Sequence, residues 1–246
     1  MIIYLIIKNF VKKKIYKFLG PHLVHEINLF RKHLSKSKDG KFSKNNIDET
    51  LEKLMPYKNG FYVELGAHDG ALASNSYYFE LKKNWKGILI EPSPNLFLKC
   101  LKRRGQNNFC YHNACTSFDY KEKYVDMIYS DSTTISDSLD LDINNRDEHV
   151  SKLPYMEKTF LFGAKSATLN SLLEKSSAPT LIDFLSLDVE GAELDVLKGI
   201  NFSRYNFKYM VIECRNIQRL QSYLKDYNYN LIKKLSIHDY LFALNK

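Results

Sequence analysis

The chain has 246 residues, 44% hydrophobic and 26% charged, which suffices for one medium domain with a proper core and excludes wholesale disorder. Ten glycines and six prolines exclude a collagenous or low-complexity protein. The net charge of +8 sits at one end: residues 1–60 hold 13 basic and 5 acidic side chains, and the rest is balanced. A nucleic-acid enzyme more often carries its basic stripe around the active site, so nucleic acid is not an expected partner.

At the start, the apolar run 1–7 is far shorter than the roughly 20 residues that cross a bilayer. Nor is it ordered like a secretory signal, because Lys8, Lys12, Lys13 and Lys14 follow it and no small-residue cleavage site appears. The expectation is a cytoplasmic protein that begins where the sequence begins. Ile3, Ile7, Phe10, Val11, Ile15, Phe18 and Leu19 recur at helical spacing until Gly20-Pro21, and Leu23, Ile27, Phe30 and Leu34 mark a second helix over 22–34. Such helices cover the main domain or join two copies in a homo-oligomer. The alternative is a basic amphipathic segment in peripheral contact with anionic lipid. Residues 35–46 are polar and breaker-rich, a linker. The chain thus divides into a basic helical extension, 1–58, and a main domain, 59–246.

From residue 61 short apolar runs (61–65, 87–90, 108–113, 181–187, 207–212) alternate with helical patterns at about 74–83, 94–104, 169–175, 192–198 and 216–226. Strands apolar almost throughout are buried on both faces, as in a parallel sheet flanked by helices. At the tail, 229–235 and 240–244 are separated by a turn too short for a helical crossover, so they pair as an antiparallel hairpin. The predicted fold is α/β, a mostly parallel sheet ending in a reversed hairpin. The stretch 126–166 fits neither pattern; its part 130–146 is acidic and hydroxyl-rich, and it reads as a substrate loop. Cys100, Cys110, Cys115 and Cys214 contain no C-x-x-C pair, so they read as reduced, mostly buried thiols.

In open parallel sheets, ligands sit at the carboxyl ends of the strands. The first end reads Glu64-Leu-Gly66-Ala67-His68-Asp69-Gly70. An acid two residues before the first glycine would repel the pyrophosphate of a dinucleotide and would suit the ammonium and sulfonium of S-adenosylmethionine. The second end, Glu91-Pro92-Ser93-Pro94, puts an acid where it can accept the hydroxyls of an adenosine ribose. The third, His112-Asn113-Ala114-Cys115, falls where an adenine edge is expected. The fourth is Asp188-Val-Glu190-Gly191-Ala-Glu193; Glu193 is an ordinary first-turn acid, whereas Asp188 and Glu190 face the proposed crevice. The fifth ends in Glu213-Cys-Arg-Asn216.

The segments FYVELGAHDG, SNSYYFE, GILIEPSP, TLNSLLEK and IDFLSLDVEGAELDVLKGI resemble the FkbM-type methyltransferases, from about residue 60 to the C-terminus. The resemblance implies the class I methyltransferase sheet of seven strands, S-adenosylmethionine as cofactor, and methyl transfer to hydroxyls of sugars or small metabolites. Glu64, Gly66 and Gly70 would then shape the methionine end of the pocket, with Ser74 and Asn75 as the polar pair after that loop. Glu91 would hold the ribose, and Asp188 would stand beside the sulfonium. Ala67, His68, Asp69, Pro92, Ser93, Asn113 and Ala114 complete the expected cofactor site. His68 stands where many class I enzymes have glycine.

Methyl transfer to oxygen needs alignment and removal of a proton. His149, after the variable loop, is one candidate base beside Asp188. The other route is a divalent ion, magnesium or manganese, held by Asp188, Glu213 and Asn216 and acidifying the hydroxyl. The acceptor expected is a glycan, nucleotide-linked sugar or other small molecule. A non-catalytic nucleoside-binding module, or a methyltransferase of another small metabolite, is the alternative.

Overall fold

The computed structural model describes residues 42–130, 133–136 and 159–245. In chain order, a 3-10 turn (Lys44–Asn46) leads into α1 (Ile47–Leu54), β1 (Phe61–Leu65), α2 (Tyr77–Lys83), β2 (Lys86–Ile90), α3 (Pro94–Arg104) and β3 (Phe109–Tyr111). Next come β4 (Ala114–Thr116), β5 (Tyr124–Ser130), β6 (Thr133–Ser136) and β7 (Thr159–Thr168), then α4 (Leu169–Lys175) and β8 (Leu181–Leu187). The chain ends with α5 (Glu193–Leu197), β9 (Asn206–Glu213), α6 (Ile217–Lys225), β10 (Tyr229–Lys234) and β11 (Asp239–Leu244).

The apolar strands pair in parallel, β1 with β2 and β8, β2 with β3, and β8 with β9. β11 runs antiparallel to both β9 and β10, which gives the seven-stranded order β10-β11-β9-β8-β1-β2-β3. This is the sheet expected from the sequence, reversed hairpin included. Alternate side chains feed two cores. Val63, Leu65, Ile88, Leu185 and Met210 pack with Leu173 of α4, Leu197 of α5 and Leu220 of α6. On the other face Tyr62, Leu89, Phe184 and Val211 pack with Leu51 of α1, Phe79 of α2 and Trp85. The strand ends that carry the candidate acids therefore lie along one edge of a sheet held rigid from both sides.

Three expectations are corrected. The third strand stops at Tyr111, and the chain leaves the main sheet so that β4 can join a second sheet of order β4-β7-β5-β6. The described ends of the expected substrate loop, 126–166, are strands of that sheet: β5 pairs antiparallel with β6 and β7. The cause is a period-two pattern, with Val125, Met127 and Ala164 turned into a small core with Ala114 while Asp126 and Lys165 face solvent. Residues 137–158, and with them His149, lie outside the described residues.

The third correction concerns the extension. Ile47, Leu51 and Met55 recur every four residues, and all three are buried against the sheet at 2%, 0% and 0% exposure. Residues 42–58 are thus built into the main domain. The helices expected between residues 3 and 34, and the oligomer or membrane contact read from them, lie outside the described residues. No helix among the described residues is long and apolar enough to cross a membrane. All four cysteines are free, three of them buried.

Leu51→Ala is expected to destabilise the protein by about 2–5 kcal/mol, the usual cost of emptying a core leucine site. Chemical denaturation checks it, and a loss below about 1 kcal/mol would mean that α1 only rests on the domain.

Candidate functional site

The first strand end is organised around one buried arginine that the sequence reading passed over. Leu96, Cys100 and Arg104 line the inner face of α3, and Arg104 is 1% exposed. Its Nε donates to Glu80 at 2.6 Å, and its Nη1 donates to Glu64 at 3.1 Å and to the Gly70 carbonyl at 3.2 Å. Its Nη2 donates to the Tyr62 hydroxyl at 2.7 Å and to Ser76 Oγ at 2.9 Å. Glu64 in turn accepts from Ser74 Oγ and the Asn75 amide, both at 2.9 Å, and from Ser76 Oγ at 2.6 Å. Glu64 therefore spends its charge on Arg104 and fixes the loop 70–76. It does not stand as the free carboxylate that its place before Gly66 suggests.

Gly66 and Asp188 meet at the seam of β1 and β8. A Cβ on Gly66 would come 1.9 Å from the Asp188 carbonyl oxygen, and its φ of +73° already favours glycine. Asp69 accepts from the amides of Ala71 and Leu72 at 2.9 and 2.8 Å and pairs with Arg103 at 2.7 Å. Its carboxyl lies far below the usual range because the His68 ring nitrogen 3.7 Å away, the Arg103 ion pair and the Leu72 amide together outweigh its burial.

At the second strand end Glu91, 4% exposed, accepts from the His68 amide at 2.8 Å through one oxygen and from the Ser93 amide at 2.9 Å through the other. Burial raises its pKa. A carboxylate has about four acceptor sites, so each oxygen keeps one for a ligand. The turn is fixed by a 2.9 Å hydrogen bond between His112 Nε2 and the Pro92 carbonyl and by stacking of Phe97 on His112.

The fourth strand end carries an acid cluster. Asp188 is pushed well above the usual carboxylate range by burial and by the neighbouring carboxyls of Glu213 and Glu190. Asp239 lies opposite Glu213 in the β11–β9 ladder and is raised by burial. The turn after Asp188 has left-handed residues at Glu190 and Gly191. It is pinned by Glu193, which accepts from the Val189 amide at 3.2 Å and the Gly191 amide at 3.0 Å. The residue read as an ordinary helix acid is therefore the anchor of the site loop, and burial raises its pKa to about 7.

These ends enclose a cavity of about 400 Å³, within the range of small-molecule sites. Of the residues named from the sequence, Glu64, Gly66, His68, Ser74, Asn75, Glu91, Pro92, Asn113, Ala114 and Asp188 line it, together with Met127 of β5 and Lys44, which the sequence reading missed. Ala67, Asp69, Gly70 and Ser93 stand behind the wall, where they shape the two turns. A second cavity of about 410 Å³ shares Lys44, Ala73, Asn75 and Asp188 with the first and is closed by Glu213, Ser236, His238 and Asp239.

The expected metal ligands are not brought together. Asp188 and Glu213 line the second cavity together, but Asn216 caps α6 by accepting from the Arg219 amide, and it lines a different cleft. Among the described residues no group of three or more His, Cys, Asp or Glu side chains could hold a metal ion. The first cavity does fit S-adenosylmethionine: Asn75 Oδ1 and His68 Nδ1 are buried without a hydrogen-bond partner, and Glu91 has acceptor sites to spare.

A parallel sheet closed by a reversed hairpin, with this cavity across its acid-tipped strand ends, defines a class I S-adenosylmethionine-dependent methyltransferase. The methyltransferase FkbM domain matches residues 64–231, and the chain belongs to that family. Solved structures with a similar fold include a precorrin-6y C5,15-methyltransferase from Geobacter metallireducens GS-15, at 11% identity and TM-score 0.42, covering 84% of this chain and 90% of that one. The METTL16 methyltransferase domain matches at 11% identity and TM-score 0.43, covering 80% of this chain and 64% of that one. A methyltransferase from Geobacter sulfurreducens in complex with S-adenosyl-L-homocysteine matches at 9% identity and TM-score 0.37, covering 84% and 72%. No curated protein matches the sequence.

Two outcomes are expected. Arg104→Met leaves Glu64 and Glu80 without their cation and costs about 3–5 kcal/mol in a denaturation titration; a loss under about 1 kcal/mol would remove the pair from its organising role. Glu193 has a folded-state pKa of about 7, above its ordinary 4.5, so its share of stability is full below pH 4.5 and lost as pH rises to about 7. In Glu193→Gln that decline between pH 4.5 and 7 should flatten, and an unchanged pH profile of melting temperature would refute the assignment.

Proposed function

We propose that the protein is an O-methyltransferase that acts on a hydroxyl of a sugar, glycan or nucleotide-linked sugar in the cytoplasm. The observation that carries the reading is the second cavity, which meets the first at Asp188 and is lined by Asp188, Glu213, Asp239, Ser236 and His238. Carboxylates accept hydrogen bonds from hydroxyls, so such a lining favours the polyhydroxyl sugar part of an acceptor and disfavours a phosphate-rich strand.

When bound, S-adenosylmethionine supplies a methyl group on a positively charged sulfur, open to displacement by oxygen. Glu91 would hold the ribose hydroxyls through its free acceptor sites, and Pro92, Asn113, Ala114 and Met127 would wall the base. Ser74 and Asn75, set by Glu64, fix the amino-acid end. Asp188 and Glu213 stand together where the two cavities meet, and the ionised member of that carboxyl pair takes the proton of the acceptor hydroxyl. Asn216 stands apart from Asp188 and Glu213, so these three residues do not form one metal site.

Calorimetric titration with S-adenosylhomocysteine should give one site, and Glu91→Ala should abolish binding; unchanged affinity in that variant would defeat the pocket. Glu213→Gln should keep that affinity and lower turnover of a sugar acceptor by roughly 10²-fold or more. A labelled methyl group found on RNA but on no sugar would overturn the acceptor class.

A further inference from the structure

Lys44 belongs to neither the strand ends nor the span matched by the family, yet it lines both cavities. Its backbone is tied down on each side. Asp48, wholly buried, accepts from the Phe42 amide at 2.7 Å and the Ser43 amide at 3.1 Å, and its own amide donates to Ser43 Oγ at 2.9 Å. Ser43 bridges Ala73 in parallel, and the Phe42 ring lies 4.5 Å from that of Tyr77. Asn45 and Asn46 both take left-handed backbone angles, with φ 55°, to turn the chain into α1. The segment is thereby fastened to the loop that Glu64 and Arg104 organise.

Among the described residues Lys44 is the one lysine or arginine on the wall of the first cavity. Around the shared part of that wall the other charged groups are acids, Asp188 and Glu190. The amino-acid end of S-adenosylmethionine carries an ammonium and a carboxylate. Asn75 Oδ1, buried and without a hydrogen-bond partner, suits the ammonium. We infer that Lys44 is a binding residue for the carboxylate of the cofactor's amino-acid end. The inference rests on the cofactor reading of the first cavity and adds to it a residue from upstream of the family's span. The charge of Lys44 also favours the ionised forms of Asp188, Glu190 and Asp239, so the test has to separate ligand pairing from a general offset of acidic charge.

The decisive comparison uses S-adenosylmethionine and its decarboxylated analogue, which keeps the sulfonium and the ammonium, titrated into the wild type, Lys44→Met and Lys44→Arg. The wild type should prefer the carboxylated ligand by about five- to tenfold, roughly what one partly exposed charge-assisted contact provides. Lys44→Met should bind both ligands equally, and Lys44→Arg should restore most of the preference. Equal binding of the two ligands by the wild type overturns the inference without use of any variant. A preference that survives in Lys44→Met overturns it too, and so does an equal loss for both ligands, which would assign Lys44 to the acid cluster. If neither ligand binds the wild type, the cofactor reading falls and this inference with it.

Discussion

The site depends on one buried ion pair. Glu64 and Arg104, with side chains 4% and 0% exposed, could not be held inside the domain singly, because an unpaired buried charge costs several kcal/mol. Held together, they leave a surplus of donors and acceptors, and the chain spends it on the loop after β1. Every N–H-bearing nitrogen of the guanidinium has a partner, and the carboxylate gathers Ser74, Asn75 and Ser76. The arginine also lies over the rings of Tyr62 and Tyr77, at 5.1 and 4.9 Å from their centroids. The loop that bounds the amino-acid end of the cavity is rigid for this reason. Its motif of glycines and acids acts as scaffold first and as contact surface second.

The same division recurs around the crevice. Asp69 fixes its own turn, Ser93 and the His68 amide hold Glu91, and Glu193 pins the backbone that presents Asp188 and Glu190. Asp69 and Glu193 thus serve other protein groups alone, whereas Glu64 and Glu91 do so and also line the first cavity.

The sheet was legible in the sequence because strands buried on both faces must be apolar throughout, and runs such as 181–187 leave no other reading. The strand-end acids were legible because Glu64, Glu91 and Asp188 each interrupt such a run at its carboxyl end. Arg104 was not, since its partners lie 24 to 42 residues away in sequence and only the fold joins them. Its signal was a charge on the buried stripe Leu96-Cys100-Arg104. Lys44 and His238 had no signal, because a polar linker and a hairpin turn look alike wherever they point. The second sheet was hidden by hydroxyl-rich composition around 130–146, although Val125-Asp126-Met127 already alternates.

The burial of Arg104 also decides how the site responds to its ionic surroundings. Dissolved ions screen exposed charges over about 8–10 Å at physiological salt and reach a dry pair far less. Arg104 and Glu64 are sealed from solvent, while the acids of the second cavity border open water. Changes in salt therefore act on the attraction between the crevice and whatever enters it, and leave the shape of the crevice alone. Recognition is tunable by the medium, and architecture is not.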